Sequence, residues 1–383
     1  MAIEGLAAIR EGLADLYRDL HQHPELSLRE TRTAGVLAEA LRPLGYEVTE
    51  HVGGTGVVGV FRNGDGPTVM LRADFDALPV EEKTGLPYAS SARAVEKDGR
   101  EVPVMHACGH DMHAACLVGA ASVLAASREA WRGTLLVVFQ PAEELARGAR
   151  DMVADGLFDR FPKPSIVLGQ HVAPLPAGFI GHGSGPLMAA NVVTRLQGIV
   201  SREVPPSETA VVTVGRLAAG SKANIIPDSA ELDINIRSTT EHTRGIVRSA
   251  IERIVQGESA ASAAVAEPDF VWEDSAPLLV SDPEATATTF AAFTEHFGAE
   301  RILPMPPVTA SEDVGVFGAA IGVPTVFWFW GGIEPDVVFK ALAENAIDKL
   351  PANHSPHFAP LIEPTLSTGV EALVTAARAW LGS

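Results

Sequence analysis

Residues 134–144 read TLLVVFQPAEE, an apolar run that ends in an amide, a proline and two acidic residues. The run TLLVVF is apolar at every position and rich in β-branched residues, which is typical of a strand buried on both faces. Four more runs of this kind are GVVGVF (56–61), TVMLR (68–72), SIVLG (165–169) and VPTVFWF (323–329). Helical stretches such as MHAACLVGAASVLAAS (112–127) lie between them. This alternation predicts an α/β fold with a mostly parallel sheet.

Helices are predicted at both ends of the chain. Apolar residues from Ile9 to Leu20 recur at helical spacing, and Pro24 should end that helix. Ser27 and Glu30 resemble a capping box that opens a second helix over residues 31–45. LSTGVEALVTAARAWL (366–381) predicts a closing amphipathic helix.

Residues 187–276 have a different pattern. Helices are predicted at 191–203 and 239–257, half-exposed antiparallel strands at 209–218 and 229–238, and a third strand at 264–274. We therefore predict an inserted α+β domain at 187–276. Residues 1–186 and 277–383 would then form one catalytic domain.

Composition excludes several function classes. The 383 residues carry 48 acidic and 29 basic side chains, and the net charge of −19 disfavours nucleic acid and anionic lipid surfaces as partners. Two cysteines, Cys108 and Cys116, provide no disulfide framework. No apolar run approaches the roughly 20 residues that span a bilayer, and the N-terminus lacks the apolar region of a signal peptide. We expect a soluble, cytoplasmic protein that binds neither nucleic acid nor membranes.

Polar residues follow three predicted strands at their C-terminal ends, where an open α/β sheet usually binds its ligand. They are Asp74 and Asp76 after TVMLR, Glu143 and Glu144 after TLLVVF, and His171 after SIVLG. Of two adjacent carboxylates, one can bind a metal while the other accepts a proton from water. The alternatives are an ordinary exposed acidic pair and a histidine that merely ends a strand.

The segment HACGHDMH (106–113) holds the densest set of potential metal ligands, namely His106, Cys108, His110, Asp111 and His113. Imidazole, thiolate and carboxylate groups are the common ligands of zinc and manganese-like cations. The alternative is a helix N-terminus with incidental histidines, but this density favours a metal site. Cys108 is interpreted as a ligand and Cys116 as a core residue. In the loop PANHSPHF (351–358), His354 and His357 are equally available.

Eight motifs in order carry a family resemblance: HQHPELSLRE (21–30), LRADFDALP (71–79), HACGHDMHAA (106–115), VVFQPAEE (137–144), GQHVAP (169–174), ANIIPD (223–228), ASEDVGVF (310–317) and NHSPHF (353–358). Together they resemble the bacterial and plant aminoacylase-like metallopeptidase family, which includes hippurate hydrolases and auxin-conjugate amidohydrolases. The resemblance implies a zinc-exopeptidase-like α/β catalytic domain with an inserted ferredoxin-like lid.

The resemblance also implies the chemistry of the site. Two divalent metal ions (zinc, manganese or cobalt) would be held by Cys108, His110, Glu144, His171 and His354. Glu143 would be the general base, and Asp76 would orient a ligand. The implied reaction is hydrolysis of an N-acyl amino acid, of N-acetyl or N-benzoyl type, to a carboxylic acid and a free amino acid. A homo-oligomer is compatible with this interpretation.

The lid departs from the family pattern. In the family it opens with a strand and a turn of the form GxGGHGxxPH, whose histidine stabilises the oxyanion. Here GHGSGPLMAA (181–190) runs directly into the predicted helix at 191, so we expect the lid to lack its first strand. Loss of one oxyanion donor costs roughly 10²–10³ in rate. Asn224 and Arg237 are the expected contacts to the substrate carboxylate.

Two other functions remain open at this point. One is a dipeptidase or carboxypeptidase that uses the same dinuclear site. The other is a weakly active protein that binds the ligand but turns it over poorly because the lid histidine is absent.

Overall fold

The computed structural model describes residues 3–95, 99–182, 197–205, 208, 210–219, 230–238, 240–261, 267–272, 279, 281–305 and 312–382. The chain divides into two compact units. The first unit contains Met1–Ser184, Ser281–Met305 and Asp313–Ser383, and the second contains Gly185–Val280 and Pro306–Glu312. The assignment of these units as catalytic domain and lid stays a prediction.

The α-helices are α1 (Leu6–Gln22), α2 (Thr31–Leu41), α3 (His110–Ala126), α4 (Gly148–Ala154), α5 (Leu157–Arg160), α6 (Gln197–Arg202), α7 (Glu241–Ala261), α8 (Pro283–Phe297), α9 (Gly315–Ile321), α10 (Pro335–Ala343) and α11 (Thr365–Trp380). In the part of the chain that the structure describes, none of its helices has the length and apolar character needed to cross a lipid bilayer.

The strands are β1 (Glu47–Val52), β2 (Gly56–Asn63), β3 (Thr68–Asp74), β4 (Arg93–Val95), β5 (Glu101–Pro103), β6 (Gly133–Gln140), β7 (Ile166–Pro176), β8 (Ile180–His182), β9 (Ala210–Ala219), β10 (Ala230–Ser238), β11 (Ile302–Pro304) and β12 (Thr325–Ile333). Eight of them form one sheet in the order β1-β2-β6-β3-β7-β12-β8-β11. Its four central strands, β6, β3, β7 and β12, are parallel to one another. The predicted α/β fold is confirmed.

β2, one of the apolar runs from which a mostly parallel sheet is predicted, is not itself parallel to its neighbours. This strand pairs antiparallel with both β1 and β6. A turn at Gly53 and Gly54 joins β1 to β2, and a connection this short can join only antiparallel strands. Gly53 has a φ of 65°, and a Cβ atom there would lie 2.4 Å from the Met152 nitrogen. A run that is apolar on both faces indicates that a strand is buried, but it does not indicate the direction of that strand.

Helix α3 lies at the centre of the main core and carries the HACGHDMH segment to the sheet. Nearly all of its side chains are buried, including Cys116, as the sequence predicts. It packs closely against α11, because a Cβ atom on Gly119 would lie 2.5 Å from Val370 and one on Gly369 would lie 2.5 Å from the Cys116 sulfur. This tight packing fixes the helix whose first residue is His110.

The predicted capping box at the start of α2 is wrong. The Ser27 hydroxyl donates to Asp76 Oδ2 at 2.7 Å, and Glu30 makes no side-chain cap. Glu25 takes the capping role, since its carboxylate accepts from the backbone nitrogens of Arg32 (3.1 Å) and Thr33 (2.8 Å). The local pattern is present, but partners distant in the sequence occupy its side chains.

The second unit contains β9 and β10, paired antiparallel as predicted, together with α6 and α7. Its core is a separate cluster that includes Ile199, Val212, Val247 and Ile251. The third strand predicted at 264–274 is wrong over residues 267–272, which form no strand. There the Trp272 indole donates to Glu252 at 3.1 Å and so packs on α7 instead of pairing with a strand.

Part of the lid prediction lies outside the described residues. Of the helix expected at 191–203, the structure describes Gln197–Arg202 as helical. Residues 183–196, where the shortened lid would begin, are not among those described. The missing first strand therefore stays a prediction.

Candidate metal centre

The five predicted ligands lie together in the first unit, although four separate chain segments carry them. Three overlapping groups have ligand atoms within 4.8 Å of one another: Cys108, His110 and His171; Cys108, Glu144 and His354; and His110, Glu143 and Glu144. The predicted base Glu143 therefore lies among the predicted ligands. The loop after β6, the turn before α3 and the loop before α11 meet there with His171. The expectation that His171 follows the end of its strand is wrong, because β7 continues to Pro176.

Cys108 and His171 form one side of the centre. The Cys108 sulfur lies 3.4 Å from His171 Nε2. His171 Nδ1 donates to the Val172 carbonyl at 2.7 Å, which leaves a lone pair on Nε2 for a cation. Gly109 allows the tight turn, because it has a φ of 83° and a Cβ atom there would lie 2.5 Å from Val172.

Asp76 connects His110 to the loop that carries Glu144. His110 Nδ1 donates to the Asp76 carbonyl oxygen at 3.0 Å and lies 3.2 Å from Oδ1. The other carboxylate oxygen accepts from the Glu144 backbone nitrogen at 3.1 Å. His110 Nε2 consequently points to the glutamates, 3.9 Å from Glu144 Oε1 and 4.0 Å from Glu143 Oε2.

Of the two histidines in the loop before α11, the structure brings His354 to the centre. Its Nε2 lies 3.5 Å from Glu144 Oε1. His357 is exposed and donates instead to the Lys83 carbonyl at 3.0 Å. Asn353 ties this loop to the rest of the centre by donating to the carbonyls of Cys108 and Val172, both at 3.1 Å.

Burial governs the charges at the centre. It raises the pKa of the Cys108 thiol well above its usual range and that of Glu144 to about 7. For His110, burial opposes protonation, but the nearby Asp74 carboxylate still raises its pKa well above the ordinary value. Burial lowers the pKa of His171, so this imidazole is neutral. A thiol and a carboxyl group that resist ionisation here would ionise readily beside a divalent cation.

The donor set fits such a cation. Two buried atoms, His110 Nε2 and Glu144 Oε1, have no hydrogen-bond partner within the described residues. Buried polar atoms nearly always have a hydrogen-bond partner, so two such atoms that lack one and lie 3.9 Å apart require an explanation. A divalent cation between imidazole, carboxylate and thiolate groups would satisfy both atoms.

Sequence reasoning missed a buried charge network behind the centre. The Arg72 guanidinium donates to Asp74 at 2.8 Å and to Asp313 at 3.1 Å. Asp74 lies 2.5 Å from His113 Nδ1, and His113 Nε2 accepts from the Val172 backbone nitrogen at 3.0 Å. The available signal was an arginine inside the apolar run TVMLR, since a charge there needs buried partners.

The remaining candidates of the HACGHDMH segment lie away from the centre. Asp111 Oδ2 pairs with His21 Nδ1 at 2.6 Å. His106 is buried, its ring nitrogens have no hydrogen-bond partner among the described residues, and burial lowers its pKa to about 4. It belongs to none of the candidate ligand groups found among those residues.

The two expected substrate contacts belong to the second unit. Arg237 lies on β10 opposite Val211 of β9. Asn224 lies outside the described residues. Both roles stay predictions.

Comparison with known proteins places this fold and site in a family. The model of peptidase family M20/M25/M40 matches residues 70–379. N-acetyl-L-cysteine deacetylase of Bacillus subtilis strain 168 is 33% identical over 357 residues, covering 85% of this chain and 82% of the relative. Hippurate hydrolase of Campylobacter jejuni is 36% identical over 330 residues, covering 78% of this chain and 82% of the relative.

A solved structure agrees with these matches. The Bacillus subtilis YXEP protein, described as a dinuclear metal binding peptidase from the M20 family, superposes with a TM-score of 0.74 at 28% identity and covers 97% of this chain and 98% of that chain. The fold and the site thus define a metal-dependent hydrolase of amide bonds. The chain belongs to peptidase family M20/M25/M40, which confirms the resemblance carried by the eight motifs.

Proposed function

We propose that this chain hydrolyses the amide bond of N-acyl amino acids and binds two divalent metal ions to do so. The observation that carries the proposal is the position of Glu143, which is nearly buried with its Oε2 4.0 Å from the orphan Nε2 of His110. A carboxylate beside a metal centre is where hydrolysis of an amide needs a base. The names of the deacetylase and of the hippurate hydrolase support an N-acyl substrate.

Cys108, His110, Glu144, His171 and His354 would hold the two ions. When bound, the ions would polarise the scissile carbonyl and lower the pKa of a water molecule. A thiolate ligand disfavours magnesium and calcium, so zinc, manganese or cobalt fits this donor set. Asp76 would orient His110, because it accepts the Nδ1 hydrogen and leaves Nε2 directed to the ions.

Glu143 would move the proton. It would accept the proton of the attacking water and return it to the nitrogen of the leaving amine. Glu143 and Glu144 adjoin in the sequence, and both carboxylates approach His110 Nε2, at 4.0 Å and 3.9 Å. Asn224 and Arg237 of the second unit would bind the free carboxylate of the substrate.

Amine release from a panel of N-acetyl and N-benzoyl amino acids tests the proposal, with free-amine dipeptides as competing substrates. The chelated protein is compared with protein reloaded with manganese or zinc, and metal content is measured alongside. We expect metal-dependent release with N-acyl substrates preferred. A preference for dipeptides would identify a dipeptidase, and absence of turnover with metal bound would identify a binding protein.

A further inference from the structure

Glu30 is a fully buried carboxylate that contacts the loop carrying Glu143. Its Oε1 accepts from the backbone nitrogen of Ala142 at 3.0 Å and from that of Leu28 at 2.9 Å. Its Oε2 accepts from the Thr55 hydroxyl at 2.6 Å. The contact to Ala142 joins residues 112 positions apart in the chain.

The backbone that Glu30 holds is in an uncommon conformation. Ala142 has a φ of 48° and Ala146 one of 49°, both in the left-handed region that non-glycine residues avoid. The loop closes on itself, since the Ala142 carbonyl accepts from the Gly148 nitrogen at 3.1 Å. Such a conformation is strained in a residue other than glycine and persists only where its surroundings enforce it.

Two carboxylates bracket Glu143. Glu30 accepts from the nitrogen of the residue before it, and Asp76 Oδ2 accepts from the nitrogen of Glu144 after it. Two groups outside the loop therefore hold the Pro141–Ala142 peptide group, one residue before Glu143, and the peptide group between Glu143 and Glu144. Ser27 belongs to the same short segment as Glu30 and holds Asp76 in turn, at 2.7 Å.

Net stabilisation of the fold does not explain why Glu30 is a carboxylate. No cationic side chain pairs with it in the described part of the chain, and all three of its donors are neutral. Burying a carboxylate without a counter-ion is costly, and burial raises the pKa of Glu30. What the side chain supplies is its length: two hydrogen bonds, from Leu28 and Thr55, hold the carboxylate in place, and the third holds the Pro141–Ala142 peptide group one residue before the proposed base.

We propose that Glu30 is a positioning residue that sets the direction of Glu143 by fixing the Ala142 peptide group. The inference rests on the proposed function, in which Glu143 is the general base. Misplacing a catalytic group by about 1 Å can cost 10²-fold in rate. The geometry of the loop itself does not depend on the reaction and can be measured separately.

Two variants separate the effect of the length of the Glu30 side chain from the effect of its charge. Glu30→Gln keeps the length and an oxygen that accepts from both backbone nitrogens, while its amide can donate to the Thr55 hydroxyl. Glu30→Asp keeps the charge but is one methylene too short. The matched control is Glu25→Asp, because Glu25 makes the same kind of bonds to Arg32 and Thr33 and none to the loop.

We expect Glu30→Asp to lower kcat by about 10- to 100-fold with KM and metal content unchanged. Glu30→Gln and Glu25→Asp should keep kcat within about threefold of wild type on the same argument. Hydrogen exchange followed by mass spectrometry should show faster exchange of peptides covering 142–148 in Glu30→Asp alone. This second measurement needs no substrate.

The proposal is overturned if exchange of that segment is unchanged in Glu30→Asp, or if Glu30→Gln loses as much activity as Glu30→Asp. Should the wild-type protein hydrolyse none of the panel, the proposed function fails. The exchange experiment then still decides whether Glu30 holds the loop, so the two failures are distinguishable.

Discussion

His110 and Glu144 face each other across the candidate metal centre, with 3.9 Å between Nε2 and Oε1. Both are held from behind by one residue, since Asp76 accepts from His110 Nδ1 and from the Glu144 backbone nitrogen. The two facing atoms are buried and have no hydrogen-bond partner among the described residues. The protein therefore fixes an imidazole and a carboxylate in the positions that a shared cation requires.

Substitutions of the adjacent glutamates should affect turnover and metal binding separately. Replacing Glu143 by Gln should lower kcat by about 10²–10⁴-fold, the usual contribution of a general base, and leave the metal content unchanged. Glu144→Gln should instead reduce the metal content, because it removes a ligand. Product release and elemental analysis of the dialysed variants measure both effects. Near-normal turnover of Glu143→Gln would show that another group is the base.

The two cysteines provide a matched pair for the ligand assignment. Cys108→Ser should weaken zinc binding by more than the roughly 10- to 100-fold typical of losing an orienting partner. Cys116→Ala should bind zinc like wild type, because its sulfur is buried against Gly369 and Leu366 in the core. Titration calorimetry of the metal-free proteins measures both affinities. Equal affinities would remove Cys108 from the ligand set.

Much of the fold was predictable because buried strands are rich in apolar residues. The runs at β3, β6, β7 and β12 are mostly apolar, and each is a central strand. The direction of a strand is not visible in its composition, so the apolar run of β2 does not show that a tight turn makes this strand antiparallel to β1. The segment 264–274 alternates like a strand, yet Trp272 packs on α7.

The site was predictable where chemistry determines the residue type. Thiol, imidazole and carboxylate groups in short motifs are conspicuous, and the structure brings Cys108, His171 and His354 to one centre. The groups that support them were not predictable. Arg72 and Asp313 are 241 positions apart, and only folding shows that they are partners. Glu30 fits a local capping pattern, but a distant peptide group occupies its carboxylate.

Breaking the buried network around Arg72 should be costly. Arg72→Met leaves Asp74 and Asp313 buried without their cation, which should lower the free energy of unfolding by about 3–5 kcal/mol. The control is Arg62→Met, since Arg62 pairs with Glu47 at the exposed edge of the sheet and should lose less than about 1 kcal/mol. The midpoint of urea denaturation compares the two. Similar shifts for both variants would contradict the network's role.

The contacts of His21 with two buried carboxylates predict how the stability of the protein depends on pH. His21 is fully buried, with Nδ1 2.6 Å from Asp111 and Nε2 3.2 Å from Glu82. Burial opposes its protonation, but Asp111 and Glu82 raise its pKa from 6.5 to about 10. Because the folded-state pKa is the higher one, this stabilisation is complete below pH 6.5 and is lost as pH rises through about 10. A neutral imidazole has one N–H and can serve only one of the two carboxylates.

The substitution His21→Gln tests this expectation. It should lower the free energy of unfolding by about 3–5 kcal/mol at pH 7, because it leaves buried carboxylates without their cation. The variant should also lose the decline in stability that wild type shows between pH 7 and pH 10. Urea denaturation at several pH values in this range measures both effects. His23→Gln is the control, since His23 is exposed and contacts Asp19 through that residue's carboxylate and carbonyl. If wild type and His21→Gln declined in parallel, the charge on His21 would not be the cause, and the decline would have to come from other groups.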